Sequence, residues 1–446
     1  MAPFRKKHEA LNGIRVLPAS RPEPLAVLDI GESKIACLIV RPEGVRREDQ
    51  VLRIAGQGHQ CSRGIRGGVV VDMDAAESAI RAAVDKAERM AGQTLSQVRL
   101  CLNAGNISSH HLSVDIDIGG HEVTDRDLMR AYHAAIAQFP TPGRSLLHAL
   151  PTNYAVDGRG GVYDPRGMFA ERLSIDLHLM TVPTVGLKNL RHVVERCHLD
   201  VAGITASPYA AGLSALTADE KKLGAVCVDL GGGTTGLSVF RDGTVQYADT
   251  IAVGSHHITN DIARGLSTPL AVAERLKTMK GAAVIGPRDD YEQIEFPQLG
   301  EGHNPAQNQV QSPKIYLNRI IGPRIEETLE MVAARLTAAG YTPAQCPRVV
   351  LVGGGSQLPG VREVATRILG RQTRLGRPMR LIGLIDGAEG PGFASATGGL
   401  MHGCFGPQDA VTTAGVFSQD PTRKREMPHA HLPVMKRAMA WVMENF

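Results

Sequence analysis

The stretch "AVCVDLGGGTTGLSVF", Ala225 to Phe240, decides the fold. Gly231, Gly233 and Gly236 match G-x-G-x-x-G, the spacing of a dinucleotide fingerprint. That fingerprint needs a strand before the glycines and a helix after them. Ala225 to Leu230 is apolar and β-branched, and reads as the strand. No helix pattern follows. Instead come "LSVF", the turn "RDG" and "TVQYADTIAV". Two alternating runs joined by Asp242-Gly243 predict a hairpin. The glycines therefore sit in a turn between antiparallel strands, where the absence of side chains lets another group approach the backbone.

An echo of this stretch lies far upstream. "LAVLDIGESKIACLIV", Leu25 to Val40, repeats the order of apolar strand, Asp, X, Gly, turn, apolar strand. Asp29 and Asp229 are the matched carboxylates, and a further strand follows each copy, "VLRIAGQGH" and "TVQYADTIAV". A repeat this widely spaced predicts two similar domains that face each other. A third glycine turn, in "PRVVLVGGGSQLPGVREVATRIL", runs from a strand over Val349 to Val352 through Gly353, Gly354 and Gly355 into a helix from about Leu358. Backbone N–H groups and a helix start at such a turn can meet an anion or a ribose.

Together the three turns make a phosphate clamp. Thr234 and Thr235 add hydroxyl donors and Lys34 adds a positive charge. Asp29 and Asp229 sit at strand ends, where carboxylates beside a triphosphate hold hydrated Mg²⁺. A single Asp before a glycine is usually only a turn residue. Three turns in order, with matched carboxylates, carry more weight.

The triple "LDIGESK", "VDLGGGTT" and "LVGGGSQLPG" resembles the phosphate-one, phosphate-two and adenosine motifs of the actin/Hsp70/sugar-kinase superfamily. Within it the chain is most similar to the bacterial FtsA cell-division family. "SRGIRGGVVVDMDAAESAIRAAVDKAERMAG" and "GSHHITNDIARGLSTPLAVAERLK" resemble further segments of that family, and the resemblance spans roughly Leu25 to Gly403 plus the C-terminal tail. It implies an α/β, actin-like two-domain ATPase fold of duplicated ribonuclease-H-like domains, with an inserted α+β domain and a C-terminal amphipathic helix. It implies ATP and Mg²⁺ as cofactors. Asp29, Gly31 and Lys34 fall on the first phosphate loop, and Asp229, Gly231, Gly232, Gly233, Thr234 and Thr235 on the second. Gly353, Gly354, Gly355 and Ser356 fall on the adenosine turn. Glu274 and Lys277, on one face of a helix, match residues that contact ribose and adenine in relatives; read alone they are a solvated ion pair. Two departures stand out. Glu32 replaces a frequent Ser or Thr, and Gly236 replaces a frequent Asp. The lost carboxylate puts efficient hydrolysis in doubt, so nucleotide binding with weak or absent hydrolysis is expected, and no catalytic residue is nominated.

The expected domains are a disordered basic tail over 1–24, domain 1A over 25–102, the insert 1C over 103–180, and 1A again over 181–209. Domain 2A follows over 210–246, 2B over 247–318 and 2A again over 319–375. A return to 1A over 376–404 precedes a linker over 405–430 and a membrane-targeting helix over 431–446. The insert pattern holds alternating strands and a helix from "TDRDLMRAYHAAIA", capped by a Thr124–Asp127 box with Asp in place of the usual Glu or Gln. The pairs His110-His111 and His256-His257 read as ordinary polar residues, because adjacent strand side chains point to opposite faces.

In "HLPVMKRAMAWVMENF", Leu432, Met435, Met439, Val442 and Phe446 recur three and four apart and form one apolar stripe. Lys436 and Arg437 suit anionic headgroups and Trp441 suits the interface. The alternative is a last helix packed on the core. The stretch is too short to span a bilayer, and no window elsewhere approaches the ~18 apolar residues of a spanning helix. A net charge of +4 and 4% aromatics do not suggest a nucleic-acid partner. Seven cysteines without a C-x-x-C pair, and no signal peptide in "MAPFRKKHEA", suggest reduced thiols in the cytoplasm. The resemblance implies as partners the C-terminal peptide of the tubulin-like division protein FtsZ, other divisome proteins, the chain itself in filaments, and an anionic membrane surface. The expected place is the cytoplasmic face of the inner membrane at the division site. The rival readings are a pilus-assembly protein of similar build and a sugar kinase, for which no base facing a sugar can be named.

Overall fold

The computed structural model describes residues 25–43, 51–139, 142–299, 309–379, 381–384 and 389–405. The expected basic tail, most of the linker and the C-terminal helix lie outside them. The chain opens with strands β1 (Leu25–Ile30), β2 (Lys34–Glu43) and β3 (Val51–Cys61), then a short hairpin, β4 (Ile65–Arg66) and β5 (Val69–Val70). Helix α1 (Met73–Ala91) leads to β6 (Gln97–Leu102). The insert follows, with β7 (Ser108–Asp117), α2 (Asp125–Ala137), β8 (Arg144–Val156), β9 (Arg159–Val162) and β10 (Arg172–Pro183). Helix α3 (Thr184–Arg196) and β11 (Asp200–Ala206) complete the first half, and α4 (Ser207–Ala215) and α5 (Ala218–Leu223) cross to the second. That half contains β12 (Ala225–Leu230), β13 (Thr235–Arg241), β14 (Thr244–Ile251), α6 (Ser255–Gly265) and α7 (Leu270–Lys280). Then come the hairpin strands β15 (Gln293–Pro297) and β16 (Gln309–Pro313), α8 (Lys314–Ala338), β17 (Arg348–Val352), α9 (Val361–Leu369) and β18 (Gln372–Leu375). Helix α10 (Ala394–Phe405) is the last described element.

The two central sheets have one topology. The first runs β3-β2-β1-β6-β11 and the second β14-β13-β12-β17-β18. In each, three antiparallel strands are followed by parallel neighbours. The echo seen in two strands of sequence thus extends to five strands of structure. Even the turn register repeats. Ile30 pairs Ile35 and Leu230 pairs Thr235, leaving four-residue turns closed by Gly31 N–H to Lys34 O (3.1 Å) and Gly231 N–H to Thr234 O (3.0 Å). β1 and β12 are buried almost throughout, as strands covered on both faces must be.

Small residues bring the covering helices close. The Ala76, Ala79, Ile80, Ala83 and Ala87 face of α1 lies on β3, where a Cβ on Gly58 would stand 2.1 Å from Ala83 O. Asp72 caps that helix by accepting from Asp74 and Ala75 N–H (3.1 and 3.0 Å). Between the halves, α4 meets α10 through Ser214 Oγ donating to Ala394 O (2.7 Å), and the second sheet through Ser238 Oγ donating to Pro208 O (2.8 Å).

The insert has its own antiparallel sheet, β7-β10-β8-β9, and its own core around Val114, Leu128, Leu173 and Leu177. Thr124 N–H donates to Asp127 (3.0 Å), so the box with Asp forms. The insert also touches the opposite half. Ser109 Oγ accepts from Ala248 N and donates to Ala248 O (both 2.7 Å), and His178 Nδ1 donates to Val245 O (3.1 Å). One hydroxyl therefore satisfies both backbone groups of a residue on the edge strand β14.

Two elements differ from the sequence reading. The helix after the third glycine turn begins at Val361 rather than about Leu358, because a 3₁₀ turn over Gly354–Gln357 comes first and Gly360 enters with φ 83°. His256 and His257 lie on α6, not on a strand. No helix among the described residues is long and apolar enough to cross a membrane.

Candidate nucleotide-binding cleft

The like ends of the two sheets bound a cavity of about 410 Å³. Both hairpin turns line it, as do the third glycine turn, Ser255 and His256 of α6, and Glu274 and Lys277 of α7. Of the nucleotide-site residues expected from sequence, only Thr235 and Ser356 do not line it. Thr235 Oγ1 donates to Val253 O (2.8 Å), and Ser356 Oγ donates to Gly353 O (2.8 Å), closing the third turn. Thr234 and Thr235 are neighbours at a strand start, so one faces the cleft and the other the core.

Glycine is required at several of these positions. Gly353 has φ 83°, and a Cβ there would stand 2.4 Å from Asp229 Oδ1. A Cβ on Gly232 would stand 2.9 Å from Ser33 Cβ, so the two hairpin turns touch. Gly354 differs, since a Cβ there meets nothing within 4 Å. Gly236, the second departure from the family pattern, packs on α4: its Cβ would lie 2.8 Å from Pro208 Cγ, which leaves no room for a carboxylate.

One buried carboxylate, one half-buried carboxylate and one ammonium dominate the floor. Burial pushes the Asp29 carboxyl up to about 7, Lys34 pulls it down and Asp229 pushes it further up. Burial also raises Asp229, against a hydrogen bond from Ser395 Oγ (2.9 Å) and the charge of Lys34. Burial lowers Lys34, while both aspartates favour its charged form. Its Nζ donates to Gly392 O and lies 4.3 Å from the Phe393 ring centroid, a cation–π distance.

Glu274 and Lys277 are more than a surface pair. Lys277 is buried, and its Nζ donates to Glu274 Oε2 (2.7 Å), Thr259 Oγ1 (2.8 Å) and Ser255 O (3.1 Å), tying α7 to α6. Burial would push Glu274 up, but the bonds from Lys277 and Thr259 outweigh it and hold the carboxyl low.

Sequence reasoning missed several cleft residues. Asn103 Nδ2 donates to Thr234 Oγ1 (2.9 Å) across the halves. The signal for it was the repeat itself, because Asn103 follows β6 as Gly353 follows β17. Glu32 also crosses, with Oε1 3.1 Å from His256 Nδ1 and Oε2 accepting from Gly67 N–H. Nothing in the local sequence around His256 pointed to that contact.

This donor set fits a nucleotide with Mg²⁺. The turns present closely approachable backbone, Lys34 supplies a cation, Gly354 faces open space, and two strand-end carboxylates can hold a hydrated divalent ion.

Comparison with known proteins identifies the family. The family model "Cell division protein FtsA" matches residues 226–398, and "SHS2 domain inserted in FTSA" matches residues 104–181. Cell division protein FtsA of Agrobacterium fabrum is 43% identical over 409 residues, 90% of this chain and 92% of that protein. FtsA of Pseudomonas aeruginosa is 32% identical over 422 residues, 94% and 97% of the two chains. Among solved structures, the PilM-PilN type IV pilus biogenesis complex matches with TM-score 0.60 at 16% identity, covering 86% of this chain and 99% of that one. MreB5 of Spiroplasma citri bound to ADP matches with TM-score 0.51 at 13% identity, covering 86% and 97%. The last two likenesses show the fold alone.

Proposed function

The chain belongs to the FtsA family of cell-division proteins and has their actin-like architecture, and from that premise we propose that it is an ATP-binding adaptor of the division machinery. It binds ATP with Mg²⁺ in the cleft, holds FtsZ filaments to the cytoplasmic face of the inner membrane through their C-terminal peptide, recruits later divisome proteins and assembles with itself. Asp29 and Asp229 are its metal-facing carboxylates. The glycine turns cradle the phosphates, and Glu274, Lys277 and Gly353 to Gly355 surround the nucleoside. The observation that carries the nucleotide part is the convergence of three glycine turns and two strand-end carboxylates on one cavity. Equilibrium binding of a fluorescent ATP analogue, with and without Mg²⁺, tests it; no saturable binding in either condition refutes it. The pilus-assembly reading has only fold likeness at 16% identity behind it, against 43% identity to FtsA.

Membrane attachment is assigned to the C-terminal stretch. Its apolar stripe, basic flank and Trp441 suit an interfacial helix. Such a short helix binds weakly alone, so self-assembly adds avidity. Met439→Glu puts a charge in the middle of the stripe. The vesicle-bound fraction at fixed anionic lipid should fall about tenfold, a cost on the order of 1.4 kcal/mol. ATP binding should be unchanged. Co-flotation of that variant equal to the unaltered chain would remove the anchor role.

A further inference from the structure

We propose that Glu32 sets the cleft's preference between nucleoside diphosphate and nucleoside triphosphate, disfavouring the third phosphate. The inference rests on the nucleotide reading above and goes beyond it.

The argument starts from the repeat. The turns align Gly31 with Gly231, Glu32 with Gly232, Ser33 with Gly233 and Lys34 with Thr234. One turn thus carries a carboxylate where its twin carries no side chain. That carboxylate does not point to solvent. Its side chain is only 15% exposed, and it lies flat on the opposite turn, where a Cβ on Gly233 would coincide with Glu32 Oε2. Gly67 N–H and His256 Nδ1 hold it there. Burial would push its carboxyl up, but these hydrogen bonds outweigh burial and keep it below the ordinary range, so it stays ionised.

Lys34 and Glu32 leave the same turn but meet different neighbours. Lys34 Nζ lies at Gly392, whose Cβ position is 2.9 Å from Nζ and 3.8 Å from Gly354 N. The cation therefore lies beside the third glycine turn. Glu32 lies across the second hairpin turn, among Gly233, His256 and Gly67. In the proposed pose, with the nucleoside at the third turn and the polyphosphate reaching over the second hairpin turn, Lys34 would stand beside the first phosphates and Glu32 beside the terminal one. The first phosphates gain from Lys34. The terminal one must come up against an anion whose hydrogen bonds are already made. Like charges a few ångströms apart in a partly desolvated cleft repel by several-fold more than in water.

The test compares ATP and ADP affinities at fixed Mg²⁺ and pH for the full chain and for Glu32→Gln and Glu32→Ser. Glutamine keeps the shape, can accept from Gly67 and donate to His256, and removes only the charge. The expected result is a rise of about tenfold in the ratio of ATP to ADP affinity in both variants, with ADP affinity within about threefold of the unaltered chain. A ratio unchanged in both variants, with nucleotide still bound, overturns this inference and leaves the nucleotide reading intact. Weaker ATP binding in Glu32→Gln also overturns it, since the carboxylate would then be assisting the metal or the terminal phosphate. An unaltered chain that binds neither nucleotide overturns the nucleotide reading itself, and this inference with it.

Discussion

Leucine at position 354 is expected to abolish binding of a fluorescent ATP analogue, a loss of about a hundredfold or more, while the protein stays folded. The position allows this separation because the fold itself makes no demand for glycine there. Its backbone is in a 3₁₀ turn without positive φ, and a Cβ there meets nothing within 4 Å. The turn lines the cavity, so a leucine there should crowd whatever binds against it. Fewer unfolded conformations for leucine than for glycine offset any small strain, so the unfolding free energy should move by less than about 1 kcal/mol. The neighbouring glycine is the control. Alanine at position 353 would hold φ at 83° and place a methyl 2.4 Å from Asp229 Oδ1 and 2.5 Å from Leu230 O. That change should cost on the order of 1–3 kcal/mol of stability. Thermal unfolding and analogue binding, measured on both variants, separate the two roles. An affinity of Gly354→Leu within threefold of the unaltered chain would remove the third turn from the binding site.

Much of this site was legible because its main parts are local. A strand, an Asp, a glycine turn and a returning strand occupy sixteen consecutive residues, and period-two alternation marks the strands on either side. Two copies of that unit, with Asp at the same register, already imply facing halves. The contacts that finish the site are not local. Glu32 meets His256 across 224 positions, Asn103 meets Thr234 across 131, and Ser395 meets Asp229 across 166. No periodicity reports such pairs, because each depends on how the halves close. Glu32 shows the difference plainly. Its sequence position makes it an acid among phosphate-facing residues, which looks unfavourable. Only the fold reveals the imidazole and the amide that accommodate it. Thr235 shows the opposite error. The pair Thr234-Thr235 suggested two donors, but strand alternation turns the second hydroxyl to Val253 O.

Asp29→Asn is expected to stabilise the ligand-free protein at pH 8 and to remove much of what Mg²⁺ adds to ATP binding. The reason is the same in both cases: Asp29 is a carboxyl that the ligand-free fold prefers to keep neutral. Burial pushes it up to about 7, and Lys34 offsets only part of that. The folded chain therefore holds this proton to higher pH than the unfolded chain does. The stability it contributes is complete below the unfolded value near 4 and is lost as pH rises through about 7. The loss is at most about 1.4 kcal/mol per pH unit across that window. Asparagine has the same shape and never ionises, and Lys34 keeps Asp229 and Gly392 O as partners. The variant should gain most over the unaltered chain at pH 8, progressively less as pH falls, and little near pH 4. Metal binding runs the other way, since Mg²⁺ needs the ionised carboxylate and competes with the proton. In the unaltered chain the Mg²⁺-dependent gain in ATP affinity should fall about tenfold between pH 8 and pH 6. In Asp29→Asn it should be small at both. Urea unfolding across that pH range, together with analogue binding with and without Mg²⁺, reads both slopes. If the variant is no more stable at pH 8, Asp29 is already solvated or paired in the free chain. If it keeps the full Mg²⁺ gain, the metal is held elsewhere and Asp229 alone would have to answer for it.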